Sequence, residues 1–354
     1  MIERDDLRAA VAAGIVNEAQ AASLASLADS RRGAREGLLP GDEPFELFKG
    51  FNEIFIVVGL AILSFGWVAV GTLFLAPEDG GLMRQIYLFA LISAALIWVL
   101  SEYFIRRRRM VAPAIALSVI WGINAVIGFT ATYAEPFMVG QQDYSSLPLP
   151  LALSTLALVI FWLRFRVPFA MALIALGAFA IALVWTAARA GTPETPMDLF
   201  LLSGDGPFAW VTLLVGLAVF ALAMWFDMSD PHRVTRRAAQ GFWLHVVAAP
   251  ALINTIALTL FQQNTANANM ILAAILFVIA LIAVIIDRRS FLITAVGYCV
   301  ALSLTVFEEN AAGYTVLALG VGLVLLGAFW ERLRALLLRL FGPILPLNRL
   351  PPSA

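Results

Sequence analysis

The polar residues best placed to do chemistry are His245 and Asn254, which lie in the otherwise apolar segment that starts at Gly241. A polar side chain within such a segment is costly in hydrocarbon unless it meets a partner, so it is a candidate functional group. Pro250, between them, leaves the carbonyl of Val246 without its helical donor, which predicts a kink. The segment therefore predicts a polar contact or a small hydrated site inside a membrane.

Asn124, midway along another apolar stretch, is a third candidate contact. His245 and Asn254 are nine residues apart, so at about 100° per residue they point to opposite sides of one helix. They would contact different neighbours, and Asn124 is a candidate partner for either. Two interpretations stay open. The three residues line a path for a solute, or they are interhelical hydrogen-bonding groups that hold a helix bundle together.

The sequence contains few of the residues and motifs that catalysis or metal binding requires. With two histidines, His232 and His245, and one cysteine, Cys299, it predicts neither a histidine metal site nor a disulfide. It has no glycine-rich phosphate loop and no Gly-x-Ser-x-Gly elbow. A non-enzymatic protein without a metal or cofactor is expected. One cluster of polar residues is interpreted as a solvated connection between helices: Asp227, Asp230, His232 and Arg233.

The elements that must position these residues are ten apolar stretches, each long enough to cross about 30 Å of hydrocarbon as a helix. Apolar residues make up 61% of the chain and charged residues only 13%, which is too little polar surface for a water-soluble globule. The predicted fold is an all-α, polytopic membrane bundle of about ten transmembrane helices. These begin near Asn52, Gln85, Met110, Leu147, Val167, Pro207, Gln240, Asn269, Phe291 and Ala312.

The basic residues predict the orientation of the bundle. Of the 23 arginines and lysines, all except Arg84 and Arg189 fall in alternate gaps between the apolar stretches or in the terminal segments. An excess of Arg and Lys marks the cytoplasmic side of a membrane protein. The pattern predicts a multi-pass plasma-membrane protein with both termini in the cytoplasm and basic turns against anionic lipid headgroups. It disfavours nucleic-acid binding, because the basic residues are divided among short turns.

The chain divides into three predicted domains. Residues 1–50 form a cytoplasmic helical hairpin and linker, in which Gly14 ends the first helix in a left-handed conformation and Asn17 caps the second. Residues 51–330 form the ten-helix transmembrane domain. Residues 331–354 form an amphipathic helix and tail, in which Arg332 and Arg339 oppose an apolar face, as in a helix that lies in the cytoplasmic interface.

Glycines repeat every seven residues on the first and the last apolar stretch. The repeats are Gly59 and Gly66 on the first, and Gly313, Gly320 and Gly327 on the last. Glycine stripes permit close backbone approach, so they predict a packing seam between two helices or across a homo-oligomer.

Two stretches carry a resemblance to a known group of proteins. One runs from Leu7 to Leu27, and the other runs from Ser229 to Arg233 and on through Phe242–Trp243–Leu244–His245 to Pro250. On these residues the chain resembles predicted bacterial inner-membrane proteins that join an N-terminal helical hairpin to a body of about ten spans. The resemblance implies a bacterial inner-membrane location and no particular activity.

Two functions are compatible with these features. The first is a protein that binds or translocates a small or amphipathic solute through the helix core, with His245, Asn254 and Asn124 as polar contacts. The alternative is a membrane scaffold whose cytoplasmic ends recruit a protein partner. No carboxylate lies near the middle of an apolar stretch, which disfavours an ion-coupled carrier. A hydrated core favours the first function, and a dry bundle favours the second.

Overall fold

The computed structural model describes residues 4–31, 51–74, 82–136, 138–141, 143–202, 204, 206–263, 265–288, 317, 320–322 and 324–351. Within these residues the chain is helical and contains no strand. A π-helix (Glu102–Arg107) directly follows the fourth helix. In chain order the α-helices are α1 (Arg4–Ala12), α2 (Glu18–Arg31), α3 (Phe51–Phe74), α4 (Leu82–Ser101), α5 (Ala112–Tyr133), α6 (Met138–Gln141), α7 (Pro148–Phe165), α8 (Ala170–Ala190), α9 (Phe208–Met228), α10 (Arg236–Gln262), α11 (Ala266–Ile285) and α12 (Trp330–Phe341).

Eight helices among the described residues are long and apolar enough to cross a membrane: α3, α4, α5, α7, α8, α9, α10 and α11. Each begins close to a start predicted from the sequence, so the prediction of an all-helical fold is confirmed for the described residues, and eight of the ten predicted spans are candidate membrane spans in the structure. The ninth predicted span, from Phe291, lies outside the described residues, and so does most of the tenth, from Ala312. At 12 residues, α12 is too short to cross a bilayer.

The chain forms two compact units. The α3–α8 unit comprises Phe45–Glu194 and Gly206–Val211, and the α9–α12 unit comprises Met1–Pro44, Thr195–Asp205 and Thr212–Ala354. In the α3–α8 unit, α5 packs against α3, α4, α7 and α8. In the α9–α12 unit, α10 packs against α11, and α11 packs against α12.

The core of the α3–α8 unit is aromatic near the ends of α4 and α7. Phe161 and Phe165 are buried with their ring centroids 4.6 Å apart, and Trp98 and Trp121 pack around them. The indole Nε1–H of Trp121 donates to the carbonyl of Ala157 at 3.0 Å. A buried indole needs such a partner, because an unsatisfied donor in hydrocarbon is costly.

Basic turns and helix starts gather at one end of this unit. Glu53, in the first turn of α3, is only 5% exposed, and its carboxylate accepts the backbone N–H groups of Val111 at 3.3 Å and Ala112 at 3.0 Å. The first N–H groups of a helix have no partner within it, so Glu53 caps α5 from a neighbouring helix. At the same end, Arg164 pairs with Glu102 at 2.7 Å.

The core of the α9–α12 unit lies between α10 and α11. The small side chains of Ala249 and Ala257 on α10 allow Leu272 and Leu276 of α11 to pack closely. The amphipathic α12 buries Trp330 and Leu337 against Val284 at the end of α11, while Leu336 and Leu340 stay exposed.

The N-terminal hairpin has the predicted turn. Gly14 is left-handed, with φ +70°, and Asn17 caps α2 by accepting the N–H of Gln20 at 2.8 Å, while the Gln20 side chain accepts the N–H of Asn17 at 3.0 Å. Both turn predictions are confirmed. The hairpin contacts its own unit, because Arg8 Nε donates to the carbonyl of Val234 in the turn between α9 and α10 at 3.1 Å.

We expect Glu53→Ala to lower the stability of the protein. Removing the carboxylate leaves the N–H groups of Val111 and Ala112 without their acceptor, at a cost of about 1–3 kcal/mol. Thermal unfolding of the detergent-solubilised protein measures this cost. The control is Glu135→Ala, since Glu135 is exposed; equal melting temperatures for the two variants would contradict the capping role.

Candidate functional site

His245, the first candidate from the sequence, lies in a fully buried charge centre at one end of the α9–α12 unit. Its side chain is 0% exposed, and Nε2 lies 2.8 Å from Oδ2 of Asp227 on α9. The ring of Phe220, also on α9, meets the imidazole edge to face at 5.5 Å between centroids. His245 therefore joins α10 to α9.

Arg288, just past α11, completes this centre. Its Nε donates to Oδ2 of Asp227 at 2.9 Å, and a terminal nitrogen donates to Oδ1 at 2.5 Å and to the carbonyl of Ala238 at 3.1 Å. The guanidinium is 0% exposed. A buried carboxylate and arginine survive outside water only when they are paired and hydrogen-bonded in this way. The centre thus ties α9, α10 and the end of α11 together.

Gly241 makes room for the Asp227 carboxylate. A Cβ added at Gly241 would lie 2.2 Å from Oδ1 of Asp227, well inside van der Waals contact. Any larger residue would therefore push the carboxylate away from Arg288 and His245. The sequence pattern did not single out this glycine, because its role depends on a residue 14 positions earlier in the chain.

A second buried group lies in the turns beside this centre. Arg233 donates to Oδ2 of Asp287 at 2.8 Å and to its carbonyl at 2.6 Å, while Trp330 Nε1 donates to Oδ1 of Asp287 at 2.7 Å. Asp230 accepts the N–H and hydroxyl of Thr235 at 2.9 and 2.6 Å. The interpretation of this turn as a solvated connection is wrong, since Asp230 is 0% and Arg233 7% exposed.

Each of the two groups contains one buried ion pair, Asp227 with Arg288 and Asp287 with Arg233. Asp230, also buried, accepts hydrogen bonds from Thr235 and from the backbone N–H groups of Val234 and Ala238. Both oxygens of Asp227 and of Asp287 accept hydrogen bonds from side chains. No group of His, Cys, Asp and Glu that could hold a metal occurs in the part of the chain that the structure describes. The two ion pairs join α9 and the turn after it to the chain just past α11.

The other sequence candidates occupy separate places. Asn124 belongs to the α3–α8 unit, where its Nδ2 donates to the carbonyl of Ala90 at 2.9 Å and joins α5 to α4. Asn254 is half-buried on α10, nine residues beyond His245. Helix α10 continues from Arg236 to Gln262 through Pro250. His245 and Asn124 thus each make an interhelical hydrogen bond within their own unit.

The glycine stripes are not covered by described residues. An added Cβ at Gly59, Gly66, Gly320 or Gly327 would meet no described atom within 4 Å, and Gly313 lies outside the described residues. Close approach occurs at other glycines. At Gly177 an added Cβ would lie 2.3 Å from Thr155 Oγ1 across the contact between α8 and α7.

A groove of about 350 Å³ runs between α5, α7 and α8 in the middle of the α3–α8 unit. Its walls are almost entirely apolar, and Ser154 and Thr155 are the hydroxyl-bearing residues among them. Both hydroxyls donate to carbonyls of their own helix, Ser154 to Pro150 at 2.7 Å and Thr155 to Leu151 at 2.8 Å. The lining residues are Val119, Gly122, Ile123, Val126, Ile127, Leu151, Ser154, Thr155, Leu158, Leu173, Leu176, Gly177 and Ala180.

This volume falls at the lower end of the range of small-molecule sites, about 300–1,000 Å³. Because the hydroxyls in the walls already donate elsewhere, the groove suits an apolar occupant. Sequence reasoning missed it, since apolar residues on three helices give no signal that distinguishes a groove from a packed core.

Comparison with known proteins finds no family model, no curated protein and no solved structure that matches this chain. The resemblance to bacterial inner-membrane proteins therefore stays a prediction.

We expect Arg288→Gln to destabilise the protein strongly. It leaves the Asp227 carboxylate buried without its cation, and breaking a buried pair costs about 3–5 kcal/mol. Thermal unfolding in detergent checks this, with Arg339→Gln as the control because Arg339 is exposed.

The double variant Asp227→Leu with Arg288→Met distinguishes the effect of an unpaired buried charge from the effect of altered packing. It leaves no unpaired charge, so it is expected to be more stable than Arg288→Gln alone. A double variant as unstable as the single one would show that the charge pairing is not what matters at this site.

Proposed function

We propose that the protein is a multi-pass bacterial inner-membrane protein that binds an amphipathic solute, with the apolar part of the solute in the groove between α5, α7 and α8. The observation that carries this proposal is the groove itself, an apolar space of about 350 Å³ whose walls belong to three candidate membrane spans. Its mouth includes Ile123 and Leu176, which are both more than half exposed. A space of this kind within a membrane is open to hydrocarbon chains.

The proposed topology has ten spans, with both termini in the cytoplasm. Trp330, at the start of α12, donates to Asp287, just past α11, so the chain between them leaves and returns at the same end of its unit. Two apolar stretches, from Phe291 and Ala312, occupy that interval, which supports two further spans. The gathering of basic turns at one end of each unit supports the cytoplasmic assignment.

The polar candidates take a different role in this proposal. His245 and Asn124 hold helices together, because each is hydrogen-bonded to a neighbouring helix within its unit. The solute contact is assigned to the apolar groove instead.

A second candidate function, a scaffold that recruits a cytoplasmic partner, is favoured by the N-terminal hairpin. Arg8 holds the hairpin against the turn between α9 and α10, while Ile15, Leu24 and Leu27 are exposed on its surface. Exposed apolar side chains on a small helical hairpin are available to a protein partner.

The groove is tested by a bulky substitution at its mouth. We expect Ile123→Trp to reduce labelling of the α5, α7 and α8 peptides several-fold when the detergent-solubilised protein is irradiated with a phosphatidylcholine that carries a diazirine in one acyl chain. The new indole would occupy the space of the chain.

The matched control is Ile160→Trp on α7. Ile160 is 49% exposed, against 56% for Ile123, but it does not line the groove. Equal labelling of the two variants at the groove peptides would reject the proposed function.

The hairpin is tested through Glu18, the first residue of α2. Burial, and after it the nearby charge of Asp230, raises the pKa of Glu18, against the opposing effects of His232 and Arg237. A raised carboxyl pKa means that protonation of Glu18 favours docking of the hairpin on its unit. The stabilisation of the docked hairpin by protonated Glu18 is therefore present at low pH and is lost as pH rises through the raised pKa.

We therefore expect Glu18→Gln to slow hydrogen exchange of the α2 amides at neutral pH and to remove the pH dependence of docking. Amide exchange rates, corrected for the pH dependence of exchange in an unfolded chain, measure this. The control is Asp6→Asn on the exposed side of α1. Faster exchange of the α2 amides in Glu18→Gln would show that the charged carboxylate favours docking, contrary to the raised pKa of Glu18.

A further inference from the structure

Four turns at the basic ends of the two units share one backbone feature. Each contains a non-glycine residue in the left-handed conformation, with φ between 52° and 55°: Arg109, Arg166, Arg233 and Asp287. This conformation is unfavourable for residues with a Cβ and often marks a site where a side chain must be held in a particular place. The burial and the ionic partners of these side chains differ between the two units.

In the α9–α12 unit, the charge is neutralised inside the protein. Arg233 is 7% exposed and pairs with Asp287, so both left-handed residues of this unit belong to one buried ion pair.

In the α3–α8 unit, the two left-handed residues Arg109 and Arg166 are exposed, and so is Arg108, the right-handed neighbour of Arg109. Arg166 is exposed, and its guanidinium lies over the ring of Trp162 at 4.5 Å. Arg108, also exposed, lies 5.7 Å from the ring centre of Tyr103, and its Nε donates to the Tyr103 hydroxyl at 3.2 Å. No carboxylate of the described residues pairs with either arginine. Both guanidiniums are therefore oriented by aromatic rings and have no counter-charge among the residues that the structure describes.

Arginines outnumber carboxylates among the described residues of this surface. Glu53 is engaged by the backbone of α5, and Glu102 pairs with Arg106 at 3.2 Å and Arg164 at 2.7 Å, which joins the π-helix to the end of α7. Among the described residues, these two carboxylates face six arginines at this end of the unit: Arg106, Arg107, Arg108, Arg109, Arg164 and Arg166. π-Helical turns such as Glu102–Arg107 are rare and occur often at functional sites.

The apolar groove lies in the middle of the unit, and on α8 it comes within one turn of the basic end. Its nearest lining residues on α5 and α7, Val119 and Leu158, are seven residues or about 10.5 Å from that end. Leu173, one of its lining residues, is three residues past the start of α8 at Ala170, or about 4.5 Å along the helix. A phospholipid chain spans about half of the 30 Å hydrocarbon core, roughly 15 Å. A chain that fills the groove from this end would hold its headgroup at the level of the basic turns.

We propose that the arginine surface at this end of the α3–α8 unit binds the headgroup of an anionic phospholipid whose acyl chain occupies the groove, with Arg108 and Arg166 as the arginines that have no carboxylate partner among the described residues. This inference rests on the proposed function, since it names the headgroup of the amphipathic solute. The planar guanidinium donates two parallel hydrogen bonds to a phosphate, and oriented arginines lose less freedom when they do so. Charge complementarity selects an anionic headgroup over a zwitterionic one.

The experiment compares lipid binding by native mass spectrometry of the delipidated full-length protein in detergent. The probes are phosphatidylglycerol and phosphatidylcholine with the same acyl chains. Both lipids carry the phosphate, but the choline cation of phosphatidylcholine offsets its charge. Wild type is therefore expected to prefer phosphatidylglycerol by about tenfold or more, because the arginines attract the lipid with a net negative charge. Arg108→Gln with Arg166→Gln is expected to reduce this preference to near one.

The matched control is Arg189→Gln. Arg189 lies over Trp185 at 4.5 Å, the same geometry as Arg166 over Trp162, but at the opposite end of α8 and apart from the arginine cluster. The control is expected to keep the wild-type preference. Loss of preference in the control to the same extent would overturn the assignment, and so would wild-type preference in the double variant.

Two further measurements separate this inference from the proposed function. Ile123→Trp is expected to weaken binding of both lipids. If Ile123→Trp binds both lipids as wild type does, and the double arginine variant loses its preference for phosphatidylglycerol, the groove proposal fails and the headgroup site stands. If Ile123→Trp weakens both and the arginine variant keeps its preference, the groove stands and the headgroup site fails. Competition by glycerol phosphate at the lipid concentration would identify a site for a soluble anion and overturn the lipid assignment.

Discussion

A charge buried among membrane helices needs a counter-charge, and the α9–α12 unit is organised around that requirement. Asp227 alone would be unstable in its position near the end of α9. Arg288 supplies the counter-charge, His245 supplies a further hydrogen bond, and Gly241 leaves the space in which the carboxylate lies. Because the three partners come from α9, α10 and the chain after α11, one interaction determines how these helices meet.

The two units resolve the same backbone feature in opposite ways. Left-handed turns place arginines at the basic end of each, but Arg233 is turned inward to Asp287 while Arg166 is left on the surface beside other arginines. In the α9–α12 unit, the Arg233–Asp287 pair joins the turn between α9 and α10 to the chain after α11. In the α3–α8 unit, exposed arginines lie at one end of helices whose middle part lines an apolar groove, which supports the proposed amphipathic ligand.

These contrasts bear on the choice between a solute-binding protein and a scaffold. His245 and Asn124, inside the helices, make interhelical hydrogen bonds, which alone would favour a bundle without a cavity. The groove between α5, α7 and α8 supports binding, since its walls are almost entirely apolar and belong to three candidate membrane spans. The hairpin, held by Arg8 and bearing exposed apolar residues, keeps recruitment of a partner as a second proposal.

The sequence by itself determined the parts of the protein that depend on local pattern. Apolar length predicted the helices, and the residues at positions 14 and 17 predicted the hairpin turn, because spanning hydrocarbon and capping a helix are requirements that neighbouring residues meet. The same reasoning marked His245 as a residue in need of a partner. It did not identify Asp227 or Arg288, which it assigned to turns at the surface.

Only the tertiary structure decided which residues meet. Asp227 and Arg288 are 61 positions apart, and Glu53 caps a helix that begins 59 positions later, so no periodicity in the sequence connects them. The groove likewise exists only where three helices fail to fill the space between them. Pairing and packing across distant segments are properties of the folded chain, and for this protein they separate the residues that join helices from those that line the groove.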